Sequence, residues 1–251
     1  MKISKQQQVE TRQAIISAAV DRVIKKGFKA ATMRAVARKA GIADATIYNY
    51  FPTKEAIVFA YYGDHMDACA EALKTVPDFN RFSLQEQLQT FYDTSLEGYL
   101  PDREFVQQTF KSAFFAFSRD FKDLKPIRRR FLDIVGDMVD AAMAADEIPE
   151  QVFLDVTSQL FWDHYIAMVI YWLGDTSDGF ENTAVMIDKS LDLACTALSA
   201  GIANKVFDMV TFLFKNHVLG RMGFIQERVE ALHAIKREFT GGRRERRHPT
   251  E

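Results

Sequence analysis

Thr32-Met-Arg-Ala-Val-Ala-Arg-Lys-Ala-Gly-Ile-Ala-Asp-Ala-Thr-Ile-Tyr-Asn-Tyr-Phe51 decides the fold. Thr32 suits an N-cap, since its hydroxyl can satisfy an orphan N–H of the turn that follows. Val36, Ala37 and Ala40 then share one face of a short helix over 33–40. Gly41 supplies the left-handed residue that closes a helix at no steric cost. Ile42 plugs the corner, and a second short helix over 44–50 turns Ile47 and Phe51 inward. Two short helices joined through a glycine turn make a helix-turn-helix. The small residues at 37 and 40 let its helices cross closely. Asp44, Ala45, Thr46, Tyr48, Asn49 and Tyr50 are left to solvent, where they can enter a major groove or touch its phosphate walls.

Outward from this segment, apolar residues recur at helical spacing nearly throughout. The pattern predicts further helices near 7–26, 54–75, 84–99, 102–118, 127–145, 150–173, 180–200, 203–219 and 222–239. Ser83 with Glu86 reads as a capping box. Pro101 and Pro149 suit first-turn positions, and Asp178 with Glu181 marks another start. The fold class is therefore all-α. The net charge of −2 conceals an asymmetry. Residues 1–60 hold 11 Lys/Arg against 4 Asp/Glu, a net of +7, whereas residues 61–235 carry a net of −12. A basic head on an acidic body points to a polyanionic partner.

The head resembles the tetracycline-repressor (TetR) family of transcriptional regulators. The resemblance runs from about Thr11 to Tyr62, roughly a quarter of the chain. It is carried by Ile15-Ile16, Ala18-Ala19, Gly27-Phe28, Ala40-Gly41-Ile42, Thr46-Ile47-Tyr48, Tyr50-Phe51 and Lys54-Glu55-Ala56. It implies a three-helix DNA-binding domain over 1–53, whose linking helix 54–75 leads into a helical domain for effector binding and dimerisation over 54–240. Residues 241–251 read as a basic disordered tail. Thr32, Tyr48 and Lys54 match phosphate-contacting positions of the family, and Arg34 is a further candidate. The Tyr48 ring is expected to pack while its hydroxyl points out. Asp44, Ala45, Thr46 and Asn49 face where base edges would lie, with Tyr50 beside them. Asn pairs bidentately with adenine, and Ala or Thr methyls meet the thymine methyl. Three residues depart from the family pattern. Ala43 and Asp44 stand where a capping Ser and a basic or polar residue are usual, so Asp44 either caps the helix or accepts from a cytosine amino group. Val23 replaces a Phe of the first helix.

In the body, Phe59, Tyr62, Met66, Phe91, Tyr92, Phe110, Phe114 and Trp162 gather aromatic and apolar groups where the family keeps a ligand cavity. Taken singly, each reads first as plain core. Asp163 and His164 sit in an apolar stretch, 161–172, as polar anchors for an effector or as a satisfied core or interface pair. That stretch is apolar nearly all round, which asks for burial on several sides. With 180–200 it resembles the helices that pair across the family's dimer axis. A charge at Leu191 is expected to split or unfold such a dimer.

Two cysteines, Cys69 and Cys195, give no disulfide framework, and no metal spacing, phosphate loop or nucleophile motif occurs. The sequence implies no cofactor and no enzyme. No apolar run is long enough to span a membrane, and residues 1–13 do not read as a secretory signal, so a cytoplasmic setting is expected. The expected protein is a homodimeric regulator that binds double-stranded operator DNA. It acts as a repressor released by a hydrophobic small molecule, or as a DNA-bound protein that recruits a protein partner.

Overall fold

Ser4 opens the first helix, α1 (Lys5–Lys26), with a capping box. Its hydroxyl accepts from Gln7 N–H, and the Gln7 side chain accepts from Ser4 N–H, both at 3.1 Å. Gly27, at φ +83°, ends the helix. The computed structural model describes residues 4–116, 123–151, 154–202 and 205. Backbone contacts divide the chain after Ala200, and the eight α-helices among the described residues belong to the first unit. No strand occurs among the described residues.

After α1 come α2 (Met33–Lys39) and a 3-10 helix (Thr46–Asn49), then α3 (Lys54–Leu73) and α4 (Leu84–Tyr99). α5 (Arg103–Lys111) runs on into a π-helical turn at Ser112–Ala116. α6 (Leu124–Ala144), α7 (Leu154–Gly174) and α8 (Glu181–Ser199) complete the unit. Each expected helix up to residue 200 has a counterpart, some shifted by a few residues, except the one over 44–50, where only a short 3-10 helix forms. The expected helices 203–219 and 222–239, apart from Lys205, and the tail 241–251 lie outside the described residues, as does Phe117 at the end of the expected helix 102–118.

Local chemistry sets the ends. The Ser83–Glu86 capping box forms as expected and starts α4. The start of α8 differs from the expectation. Asp178 makes no capping bond. Asp175, three residues earlier, does the work. Its Oδ1 accepts from Ser177 N–H and Oγ, and its Oδ2 accepts from Thr183 N–H and Oγ1 at 2.9 and 2.6 Å. A carboxylate aimed at the first turn satisfies orphan donors and favours the positive end of the helix dipole. At the other end of the same connection, Arg103 donates to the carbonyls of Trp172, Leu173 and Asp175. Its guanidinium lies 5.2 Å from the Trp172 ring centroid and 5.0 Å from that of Phe180. A cation therefore closes the carbonyl end of α7.

Two cores result. The head core joins Ile15, Ile16, Ala18 and Ala19 of α1 to Val36 and Ala37 of α2, to Ile47 and Phe51, and to Ile57 of α3. The body core takes Val20 and Val23 from α1, then α3 from Val58 onward, and α4 to α8. Both α1 and α3 thus serve the two cores in succession. Arg12 binds Asp64 through two bonds of 2.6 and 2.8 Å, tying α1 to α3.

Candidate nucleic-acid interface

Thr32 caps α2 as its position requires, accepting from Ala35 N–H at 3.2 Å. Gly41 adopts φ +72°. Its N–H bonds the Arg38 carbonyl, and Ile42 N–H reaches back to the Ala37 carbonyl at 3.1 Å. This is the two-bond helix ending in which a left-handed residue satisfies the last carbonyls. Val36, Ala37 and Ile47 are almost fully buried, and Ala40 and Ile42 pack against them.

The element that follows is shorter than expected. In place of a helix over 44–50, the chain makes a turn at Asp44–Ala45 and one 3-10 helix, Thr46–Asn49. Three features limit it. Ala45 leads in without a side-chain cap. Thr46 and Ile47 are β-branched and lose rotamer freedom in a helix. Pro52 disfavours helical backbone at Phe51. The short element still turns Ile47 and Phe51 inward and leaves Asp44, Ala45, Tyr48 and Asn49 exposed, with Thr46 and Tyr50 half-buried.

Several side chains stand differently from expectation. Tyr48 is 56% exposed, so its ring does not pack. Tyr50 is the aromatic that leans on the head core. Lys54 is half-buried. Its Nζ donates to the Phe28 carbonyl at 2.9 Å and sits 4.2 Å from the Phe28 ring centroid. Lys54 therefore joins the start of α3 to the turn after α1. Asp44 caps nothing and pairs with Arg34, its Oδ2 2.9 Å from Arg34 Nε. Lys25 and Lys39 both meet Asp21, whose carboxyl lies below the usual range, chiefly through its bond to Lys25. Of these contacts only Asp21–Lys25, four residues apart on one helix, is legible in local spacing.

The candidate effector residues meet in the body core. Phe59, Tyr62, Met66, Phe91, Tyr92, Phe110, Phe114 and Trp162 are all buried there. Rings among them meet one another. Phe110 and Phe114 stack at 4.2 Å between centroids, and Tyr62 meets Phe114 at 5.2 Å. Phe131, which the expectation omitted, touches both Phe91 and Trp162. The polar atoms find partners within the core. Tyr62 Oη lies 2.8 Å from Thr109 Oγ1, and Ser95 Oγ lies 2.6 Å from Tyr165 Oη. Described clefts open elsewhere, among them a charged groove of about 640 Å³ between α6 and α7, bordered by Lys125, Arg128, Arg129 and Asp133.

Asp163 is not an inward anchor. It is exposed on the outer side of α7 and accepts from Gln159 Nε2. His164 is half-buried, with Nδ1 3.1 Å from Tyr92 Oη and Nε2 2.8 Å from Ser190 Oγ. Burial lowers its pKa below the ordinary value and pushes the Tyr92 hydroxyl well above its own. His164 therefore links α4 to α8. Val156, Leu160 and Tyr171 on α7, with Val185, Met186 and Leu193 on α8, remain exposed. Leu191 is fully buried within the chain itself, so it is core and not surface.

A helix-turn-helix on an all-helical body defines a DNA-binding transcriptional regulator. Residues 15–61 match the model of the bacterial regulatory proteins of the tetR family, and residues 87–213 match the tetracycline repressor-like C-terminal domain. The chain belongs to the TetR family of transcriptional regulators. An uncharacterised HTH-type transcriptional regulator, YdeS of Bacillus subtilis (strain 168), is 26% identical over 181 residues, covering 70% of this chain and 86% of that protein. A TetR transcriptional regulator from Rhodococcus sp. RHA1 superposes with a TM-score of 0.59 at 22% identity, over 74% of this chain and 96% of that one. The regulator FadR of Bacillus subtilis, solved in complex with stearoyl-CoA, gives a TM-score of 0.57 at 21% identity, over 73% of this chain and 97% of that one. Among the described residues, no helix is long and apolar enough to cross a membrane.

Proposed function

We propose that this regulator is a cytoplasmic homodimeric repressor, released from its operator by a hydrophobic small molecule. The observation that carries the reading is the aromatic body core, which shares α1 and α3 with the DNA-contacting head. An apolar ligand that wedges those rings apart displaces helices that also hold the head. The stearoyl-CoA bound by the Bacillus subtilis FadR supports a long acyl chain as one ligand chemistry. The outer apolar face of α7 and α8 supports pairing of two copies there, because exposed residues such as Leu160 and Leu193 gain by being covered. The head corresponds to residues 1–53 with the start of α3, and the body to the helices that follow.

Release requires the effector to bind the DNA-incompetent state more tightly than the competent one. The closed packing of the rings favours, on that point, the second reading, in which the DNA-bound protein recruits a protein partner. The test is thermal stabilisation by acyl-CoAs and free fatty acids of graded length, followed by operator titration with each stabilising compound. A ligand that weakens DNA binding within the usual coupling range of about 5–150-fold supports the effector reading. If no apolar ligand changes DNA affinity, the partner-recruiting reading takes its place.

A further inference from the structure

Asp44 is the one acidic residue between Thr32 and Lys54, on the face that meets DNA. A carboxylate there opposes the phosphate backbone, which basic residues of the head otherwise attract. Its usual justification is absent, because the 3-10 helix beside it has no side-chain cap. Its partner is Arg34, in the first turn of α2, with Nε 2.9 Å from Asp44 Oδ2. Both side chains are largely exposed, at 74% and 52%. A pair so exposed adds little to folding stability, so support of the fold does not account for it.

The pair has a clear effect on Arg34. A guanidinium carries five N–H donors in a rigid fork, more than one carboxylate oxygen can take. The Asp44 contact at Nε holds the side chain in one orientation and leaves donors free. An arginine already oriented loses less rotamer freedom when it binds. In a helix-turn-helix the first helix crosses the DNA backbone while the second reads base edges. A residue in the first turn of α2 is therefore placed for a phosphate. The geometry points to Asp44 as a positioning residue that presents Arg34 to a backbone phosphate at the margin of the operator. The inference rests on this face being the DNA-contacting one.

The experiment turns on a sign. The probe is a duplex that the wild-type protein selects from a randomised pool, beside an unrelated duplex of equal length. Arg34→Ala weakens binding about tenfold, the loss of one charge-assisted hydrogen bond, and lowers the salt slope by about one. Charge counting alone says that Asp44→Ala removes repulsion and tightens binding. Positioning says that it weakens binding about threefold or more, within the loss set by Arg34. In the Arg34→Ala background the same change instead tightens binding or leaves it unaltered. Asp44→Glu keeps a carboxylate for Arg34 and restores most of the affinity. Unchanged circular dichroism and melting temperature show that each variant is folded. Tighter binding by Asp44→Ala with Arg34 present overturns the inference. So does a changed base preference at one operator position, which would make Asp44 a reader of cytosine. A wild-type protein that does not prefer the selected duplex would instead overturn the DNA-contacting assignment of this face.

Discussion

The head closes its core mainly with Ile15, Ala18, Ala19, Ala37 and Ile47, small or branched groups without polar side-chain atoms, and with one buried ring, Phe51. The body closes its own with rings, and the hydroxyls of Tyr62, Tyr92 and Tyr165 are matched by Thr109, by the Phe161 carbonyl with His164, and by Ser95. The contrast teaches what each part can tolerate. Small side chains let short helices cross closely, so the turn geometry of the helix-turn-helix follows from about twenty consecutive residues. The body depends on interlocking large groups from five or more helices, each hydroxyl needing a partner from another helix. Such a core has more ways to rearrange and more to lose when one member is cut.

The largest effect is therefore expected in the body. Phe131 is fully buried against Phe91, Trp162 and Tyr165. Phe131→Ala should cost about 3–5 kcal/mol in urea unfolding. A loss below 1 kcal/mol would mean that the rings re-pack freely and that the contrast with the head is false. Ile47→Ala removes a fully buried side chain from the smaller head core and should cost about 2–4 kcal/mol. Its signature is local. DNA binding disappears, while near-ultraviolet dichroism from Trp162 and Trp172 persists. Joint loss of both signals would show that head and body unfold as one.

Next comes the outer face of the body. Leu193 is 71% exposed, so Leu193→Glu should shift stability of the isolated chain by no more than about 0.5 kcal/mol. It should nevertheless convert a dimer to a monomer in light scattering. Leu191→Glu, by contrast, buries a charge in the core and should unfold the chain. A Leu193→Glu protein that remains dimeric would place the assembly surface elsewhere.

A further effect, on pH dependence, also belongs to the body. Burial lowers His65 from its ordinary 6.5 to about 3. The unfolded chain then binds a proton that the native state refuses. The His65 contribution is present above about pH 6.5 and is lost as pH falls toward 3. Asp175, held below the usual carboxylate range by its bonds to Thr183 and Ser177, acts in a lower window. Its contribution is present above about pH 4 and fades as pH falls through the native value. Melting temperatures from pH 8 to pH 3 should decline first through the histidine window. Asp175→Asn should reduce the decline below about pH 4 and leave the histidine part unchanged.

The comparison also explains what was legible. The head announced itself because its signals are local: Thr32 as cap, Gly41 as left-handed terminator, Ile47 and Phe51 on one face. Its misread details involve partners beyond the local period. Asp44 meets Arg34 ten residues back across the turn, and Lys54 meets Phe28 across the head. In the body, element positions are readable from periodicity, but the 161–172 stretch of α7 is apolar nearly all round and offers little polar stripe to orient it. That is why the pattern leaves Asp163 open as an effector anchor or as a core or interface group, when it faces out. Leu191 reads as interface because spacing alone does not tell the inner face of α8 from the outer one. Spacing points to Asp178 and not to Asp175 because the connection ending in two left-handed residues, Gly179 and Phe180, reaches back farther than a simple cap.

The most direct test of the account is a footprint of the protein on a duplex selected from a randomised pool. A paired helix-turn-helix protein should protect two related half-sites in inverted orientation, with centres about 34–36 Å apart or a multiple of that spacing. Binding should weaken steeply with salt. Protection of a single unrepeated site, or no preference over unrelated DNA, would contradict it.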